Sequence, residues 1–223
     1  MPDVVAIIQA RMGSTRLPGK VLMPMAGVPM LERVIRRVKE AKQVGRIIVA
    51  MPYDDFSCRL GYSLAEYSVG MSWPQVAEED VLSRFVKAID DTTEIVVRVC
   101  GDSPLIRPDL IDDCVQRLRD SLYHYVSYML PSGEVAIETK RGVYPEAFTA
   151  RALRYADHHS RPLPMNRSLG NREHVTPMMR RQREYNPWLV QVAEDDGLNC
   201  AVDTQEDFDR VEKLIMEQEA VPA

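Results

Sequence analysis

The chain has 223 residues, 45% of them hydrophobic and 27% charged, with a formal net charge of −5. That is the composition of a water-soluble globular protein with enough chain to bury a large core; it argues against a broad surface for nucleic acid or anionic membrane, and no apolar run approaches the roughly 18 residues of a membrane span. Cys58, Cys100, Cys114 and Cys200 stand far apart with no CxxC pair, and the first residues lack the pattern of a signal peptide; the expectation is a cytoplasmic protein with reduced thiols and neither a disulfide framework nor a thiolate zinc site.

Strand, loop and helix patterns alternate along the chain. Val4 to Ala10 is a near-continuous apolar run, which reads as a strand buried on both faces. Arg11 to Gly19 is polar and breaks it. Pro29 opens a helix whose apolar residues Met30, Leu31, Val34, Ile35 and Val38 recur at helical spacing. Arg46 to Ala50 reads as a second strand and Leu60 to Tyr67 as a helix. Asp80 caps the next helix, with Val81, Leu82, Phe85, Val86 and Ile89 on one face. Ile95 to Val99 is a third strand. Pro108 opens a helix carrying Leu110, Ile111, Cys114, Val115 and Leu118, and Tyr123 to Tyr128 reads as another strand.

From Leu130 to Pro187 prolines punctuate a looser pattern, with helices near Thr149 to His158 and Arg172 to Gln182. Trp188 to Val192 and Asn199 to Val202 read as strands. Thr204, followed three residues later by Asp207, resembles a capping box and opens a last helix. This alternation predicts an α/β fold, a mostly parallel sheet flanked by helices, in one domain spanning 1–223. Ligands of such sheets bind beyond the carboxyl ends of the strands, so the loops after Ala10, Val99 and Val202 are the places to look.

Three groups in those loops carry chemistry. Ala10-Arg11-Met12-Gly13-Ser14-Thr15-Arg16-Leu17-Pro18-Gly19-Lys20 joins glycines and hydroxyls to three cations. Its backbone amides can cradle a phosphate, and Arg11, Arg16 and Lys20 can neutralise a triphosphate. The spacing is not that of a P-loop, and the bland alternative is a solvated basic turn. Gly101-Asp102-Ser103-Pro104 puts a carboxylate at a strand end, placed either to hold Mg²⁺ against phosphates or to cap the turn before the next helix. Asp203 offers a second carboxylate, with helix capping as its alternative role.

Ile7 to Leu22, Glu79 to Arg84, Arg98 to Ile106, Arg172 to Pro177 and Val202 to Phe208 together resemble the ordered motifs of the cytidylyltransferase family. The resemblance is to its spore-coat-polysaccharide branch, which is similar to the synthetases of CMP-activated Kdo and sialic acids. It covers nearly the whole chain and implies a nucleotide-diphospho-sugar-transferase-like, Rossmann-like fold. It also implies CTP as donor, Mg²⁺ as cofactor held by Asp102 and Asp203, and pyrophosphate as product. Arg11, Gly13, Ser14, Arg16 and Lys20 would hold the triphosphate, with Arg11, Lys20 and Asp102 closest to the chemistry. Asp80, Ser83 and Arg84 would lie near cytosine and ribose, with Gly101 beside the nucleotide. Related synthetases are homodimers, which implies a second copy as partner and an arm within about 123–187.

The chain departs from the family's pattern at 51–75 and 131–148. In the second stretch many relatives carry Asp-x-Glu soon after Pro-x-Gly, where this chain has Pro131 to Glu138 followed by Lys140 and Arg141. Lys140, Arg141, Arg172, Glu173 and His174 are candidates to bind a small anionic acceptor bearing a carboxylate, phosphate or phosphonate. Lys140 and Arg141 read equally as surface charge, and His174 as an acid–base group or a packing residue. The expected activity is transfer of CMP to an acidic sugar or a similar anion. The rival readings are a glycosyltransferase consuming a nucleotide sugar, a non-catalytic nucleotide-binding or assembly subunit, or transfer from UTP or dTTP. A glycosyltransferase of this type would carry Asp-x-Asp after a central strand, and Asp102-Ser103-Pro104 is not that motif.

Overall fold

The computed structural model describes residues 3–53, 64, 67–160, 172–195 and 197–220. One seven-stranded sheet organises them. Its strands are β1 (Asp3–Gln9), β4 (Arg46–Ala50), β5 (Gly70–Ser72), β6 (Thr93–Cys100), β7 (Tyr125–Met129), β8 (Glu146–Thr149) and β9 (Pro187–Gln191). They lie in the order β5-β4-β1-β6-β8-β7-β9, and every neighbouring pair is parallel except the two that involve β8. The mostly parallel sheet read from the sequence is therefore present, with one antiparallel strand set into it. A two-residue hairpin, β2 (Pro24–Met25) and β3 (Val28–Pro29), stands apart and turns through Ala26 and Gly27, both at positive φ.

Helices α1 (Met30–Glu40), α3 (Pro108–Arg119) and α6 (Gln205–Ala220) cover one face; α2 (Val81–Ala88), α4 (Ala150–His159) and α5 (Pro177–Arg181) cover the other. Alternation along β1 feeds both cores: Val4, Ala6 and Ile8 pack with the first set, Val5 and Ile7 with the second. This explains why the strand reads as a continuous apolar run. Met30, Leu31, Val34, Ile35 and Val38 are all fully buried, as the helical spacing requires.

Local signals set the helix starts. Asp80 Oδ1 accepts the Ser83 amide at 3.1 Å to cap α2, and Thr149 Oγ1 accepts the Ala152 amide at 3.1 Å to cap α4. Thr204 and Asp207 form the reciprocal box: Asp207 Oδ2 accepts the Thr204 amide at 3.1 Å and Thr204 Oγ1 accepts the Asp207 amide at 3.2 Å. Asp207 Oδ2 also takes the Asp203 amide at 3.2 Å, so the cap shapes the loop that carries Asp203. Burial raises the Asp207 carboxyl, but Arg210, Thr204 and the two amides outweigh it and hold the carboxyl well below the usual range.

Two predicted elements differ from the sequence reading. Asn199 to Val202 is not a strand; its amides bond the carbonyls of Arg141, Lys140 and Asp102 at 3.1, 3.0 and 2.9 Å, so it is an extended strap across loops. Gly142 makes the strap possible: at φ +66° it lies so close that an added Cβ would sit 2.5 Å from the Ala201 nitrogen. Arg172 to Gln182 is helical only over Pro177–Arg181, where Pro177 takes the first helical position and has no amide to bond back to residues 172–176. The prediction of a helix over Leu60 to Tyr67 falls mostly outside the described residues.

Candidate active site

β1 lies between β4 and β6, and the chain leaves it in both directions. The loops after β1 and β6 therefore meet at the switch point where open α/β sheets bind ligands. A cleft of about 540 Å³ opens there. The 10–20 loop, Gly101, Asp102 and Asp203 line it from one side, and Glu78, Glu79, Val81 and Arg84 near the start of α2 line it from another, with Glu173 and His174.

Lys20 is the centre of the cleft. Gly19, at φ +70°, turns the chain into a short 3₁₀ turn (Lys20–Leu22), and the Gly19 amide closes the loop onto the Met12 carbonyl at 3.0 Å. The Lys20 side chain is only 9% exposed, and its Nζ lies 3.1 Å from Asp102 Oδ2, 3.3 Å from Asp203 Oδ1 and 2.6 Å from the Val202 carbonyl. One ammonium therefore draws the loops after β1, after β6 and before α6 to a single point. Arg16 pairs with the other oxygen of Asp203 at 3.0 Å, and Arg11 with Glu78 at 3.2 Å.

Gly101 sets how closely those loops approach. Its amide bonds the Gln9 carbonyl at 2.8 Å, and a Cβ there would lie 2.9 Å from that oxygen and 3.2 Å from Ala10 Cβ. Gly101→Ala is expected to lower stability by about 1–3 kcal/mol, the usual cost of overpacking. It should also weaken nucleotide binding, because Asp102 moves away from Lys20. Urea denaturation and nucleotide titration of the variant check both effects.

The donor set suits a small hard cation. Asp102 and Asp203 already converge on one positive group, and among the described residues no cluster of three or more His, Cys, Asp or Glu is arranged as a metal site. Two carboxylates completed by phosphate oxygens and water is the way Mg²⁺ is ordinarily held in phosphate chemistry.

A second cavity of about 670 Å³ adjoins the cleft; Arg98 and His174 line both. Thr176, Arg180, Arg181, Ile137 and Glu138 complete much of its wall. Arg180 donates to Glu138 Oε1 at 2.6 Å, and Arg181 lies 3.8 Å from the same oxygen.

The structure therefore gathers Ala10, Arg11, Gly13, Ser14, Thr15, Arg16, Lys20, Arg84, Gly101, Asp102, Glu173, His174 and Asp203 around the cleft. Other candidates lie elsewhere. Met12 packs toward the core. Asp80 and Ser83 are engaged by Arg172, which is 2% exposed: its Nε donates to Asp80 Oδ1 at 2.9 Å, and its terminal nitrogens donate to Ser83 Oγ, Ser160 Oγ and both a side-chain and the backbone oxygen of Asp157. Arg172 is a buried clamp between α2 and α4 rather than a group open to an acceptor. Arg141 is bound to Asp195, the Gly197 carbonyl and Asn199, and Lys140 lies 3.8 Å from Asp207, so neither reaches either cavity. Each has a local polar partner, which a reading of charge alone does not supply.

Arg98, Glu138, Arg180 and Arg181 were missed from the sequence. The two arginines just after Pro177 were the available signal. Cys100, at the end of β6, lines the cleft, and desolvation pushes its thiol up to about 11.

Comparison with known proteins agrees with this geometry. The chain matches the family model described as cytidylyltransferase over residues 5–220. It is 32% identical over 220 residues to the uncharacterized protein MJ1063 of Methanocaldococcus jannaschii, covering 92% of this chain and 80% of that one. It is 35% identical over 133 residues to the spore coat polysaccharide biosynthesis protein SpsF of Bacillus subtilis, where the match covers 56% of this chain and 55% of SpsF, about half of that relative's length. A solved cytidylyltransferase from Leptospira borgpetersenii superposes with a TM-score of 0.82 at 24% identity, over 96% of this chain and 87% of that one, which shows the shared fold. The family model spans nearly the whole chain, and the chain belongs to the cytidylyltransferase family.

Proposed function

We propose that this protein transfers CMP from CTP to a small anionic acceptor, in the presence of Mg²⁺, with release of pyrophosphate. The observation that carries this reading is the meeting of Lys20, Asp102 and Asp203 at the base of a cationic loop, next to a second cavity walled by arginines. The family and the SpsF relative support a place in polysaccharide assembly, with an acidic sugar or similar polar anion as acceptor.

In this reading Arg11, Arg16, Lys20 and the amides around Gly13 bind the triphosphate. An acceptor oxygen in the second cavity attacks the α-phosphorus in line. The new P–O bond forms as the bond to the α–β bridging oxygen breaks, and pyrophosphate leaves with that electron pair. Lys20 and Arg16 meet the charge that builds on the leaving group. His174, exposed and lining both cavities, takes the proton of an acceptor hydroxyl. Asp102 and Asp203 would hold Mg²⁺, which when bound neutralises phosphate charge. The rest is placement of two substrates. No helix among the described residues is long and apolar enough to cross a membrane, as a reaction between water-soluble substrates allows.

Glu138 occupies the arginines that an acceptor anion would use. Glu138→Gln is therefore expected to lower the acceptor KM by about two- to fivefold, the worth of a partly exposed ion pair, without changing the KM for CTP. The reading also includes two copies pairing through the segment within about 123–187. Light scattering reports the mass.

The test of the function is pyrophosphate release from CTP and Mg²⁺ across a panel of sugar acids, sugar phosphates and neutral sugars. Release with anionic members only is the expected result. Release with neutral sugars only, or turnover of a nucleotide sugar instead, would overturn it.

A further inference from the structure

Arg98 stands in the wall common to both cavities, so it faces the place where an acceptor and an α-phosphate would meet. It lies on β6, opposite Glu146 on β8. Glu146 is fully buried, yet it is completely engaged: its Oε2 accepts from Arg98 Nη1 at 2.6 Å and from Thr176 Oγ1 at 3.0 Å, and its Oε1 accepts from the Tyr125 hydroxyl. Arg98 Nε, also enclosed, has no hydrogen-bond partner, and its side chain is 12% exposed. Thr176 comes from the same short stretch as His174, so this network ties both shared residues into the core.

A buried ion pair of this kind is a poor way to gain stability, because desolvation offsets most of the attraction and apolar residues would pack as well. Its effect here is rigidity. The carboxylate holds the guanidinium through Nη1, and the side chain lines the boundary between the cavities. Two anions, the acceptor and the nucleotide, must approach within bonding distance there, and their mutual repulsion opposes the approach. A guanidinium held in advance between them removes that obstacle without reorganising during the reaction.

We propose that Arg98 contacts both substrates, bridging the acceptor's anionic group and the α-phosphate of the nucleotide, and that Glu146 is its positioning residue. The proposal rests on the cytidylyl reading above and deepens it: the acceptor carries its charge next to the attacking oxygen. The step itself is unchanged. The acceptor oxygen bonds to the α-phosphorus and pyrophosphate departs, while Arg98 neither gains nor loses a proton.

The test uses CMP and cytidine as probes, since they differ only in the α-phosphate, titrated by calorimetry onto the full-length wild type, Arg98→Lys and Glu146→Gln, with thermal unfolding alongside. Arg98→Lys is expected to bind CMP about tenfold more weakly with cytidine unchanged, the loss expected for one charge-assisted contact. Glu146→Gln should lose part of the same CMP–cytidine difference, which a purely structural role would leave alone. Should Glu146→Gln not fold, Thr176→Val removes one of its three donors and should shift CMP affinity in the same direction. Inorganic phosphate titrated onto the CTP-saturated enzyme reports the acceptor side and should also weaken in Arg98→Lys. Unchanged affinity for CMP and for phosphate in a folded Arg98→Lys overturns the proposal and leaves the cytidylyl reading standing. A wild type that takes neither CMP nor CTP brings down that reading, and the proposal with it.

Discussion

Lys20→Met is expected to cut turnover by about a thousandfold, the upper end of what a single preorganised donor to developing charge contributes. Three features make the effect this large. The ammonium is buried and aimed by Gly19, it contacts both carboxylates and a carbonyl, and it joins loops more than eighty residues apart in the chain. Methionine keeps the apolar stem, so the loss is of charge more than of packing. Without the ammonium, Asp102 and Asp203 face each other as like charges and the strap before α6 loses its anchor on the Val202 carbonyl. Single-turnover assays should show the defect in the chemical step, and nucleotide titration should show weaker CTP binding. Turnover within tenfold of wild type would mean that Lys20 only ties loops together.

The second large effect is on stability. Arg172→Met is expected to destabilise the fold by about 3–5 kcal/mol, because it breaks the buried ion pair with Asp157 and takes from the α2 cap one of its ties. The Arg172 carbonyl also accepts the Leu82 amide at 3.1 Å, so the segment would lose its grip on the first turn of α2. Urea denaturation measures the loss. Unaltered stability with a raised acceptor KM would make Arg172 an acceptor-binding residue instead.

These two residues also show what a sequence can and cannot reveal. Lys20 was legible because it ends a basic, glycine-containing loop directly after a strand buried on both faces, and topology alone then places it at the switch point. Arg172 was legible as part of a motif but not in its role. Whether an arginine faces solvent or clamps two helices depends on what tertiary packing brings to it, here Asp80 and Asp157 from distant positions. The same holds for Arg141, which looked free beside Lys140 and is bound to Asp195 and Asn199.

Strands β1, β4 and β6 announced themselves as apolar runs. β8 did not, since it is four residues long, begins with the buried Glu146 and ends in Thr149, which serves the next helix as a cap. The strap at Asn199 to Val202 carries the apolar pattern of a strand, but its partners are loop carbonyls, and no local pattern distinguishes the two. The second cavity was invisible for a similar reason. Its cations, Arg98, Arg180 and Arg181, come from a strand and a helix on opposite sides of the masking punctuation of prolines, and only the fold brings them together.

The central claim is that the cleft at the end of β1 and β6 binds CTP, with the Lys20 loop at its triphosphate and the paired carboxylates at the accompanying Mg²⁺. It is tested most directly by calorimetric titration of CTP, UTP, ATP and GTP with Mg²⁺, on the wild type and on Asp102→Ala. The account predicts preferential binding of CTP that is lost in the variant. Equal binding of all four nucleotides, or CTP binding that survives the loss of Asp102, would contradict it.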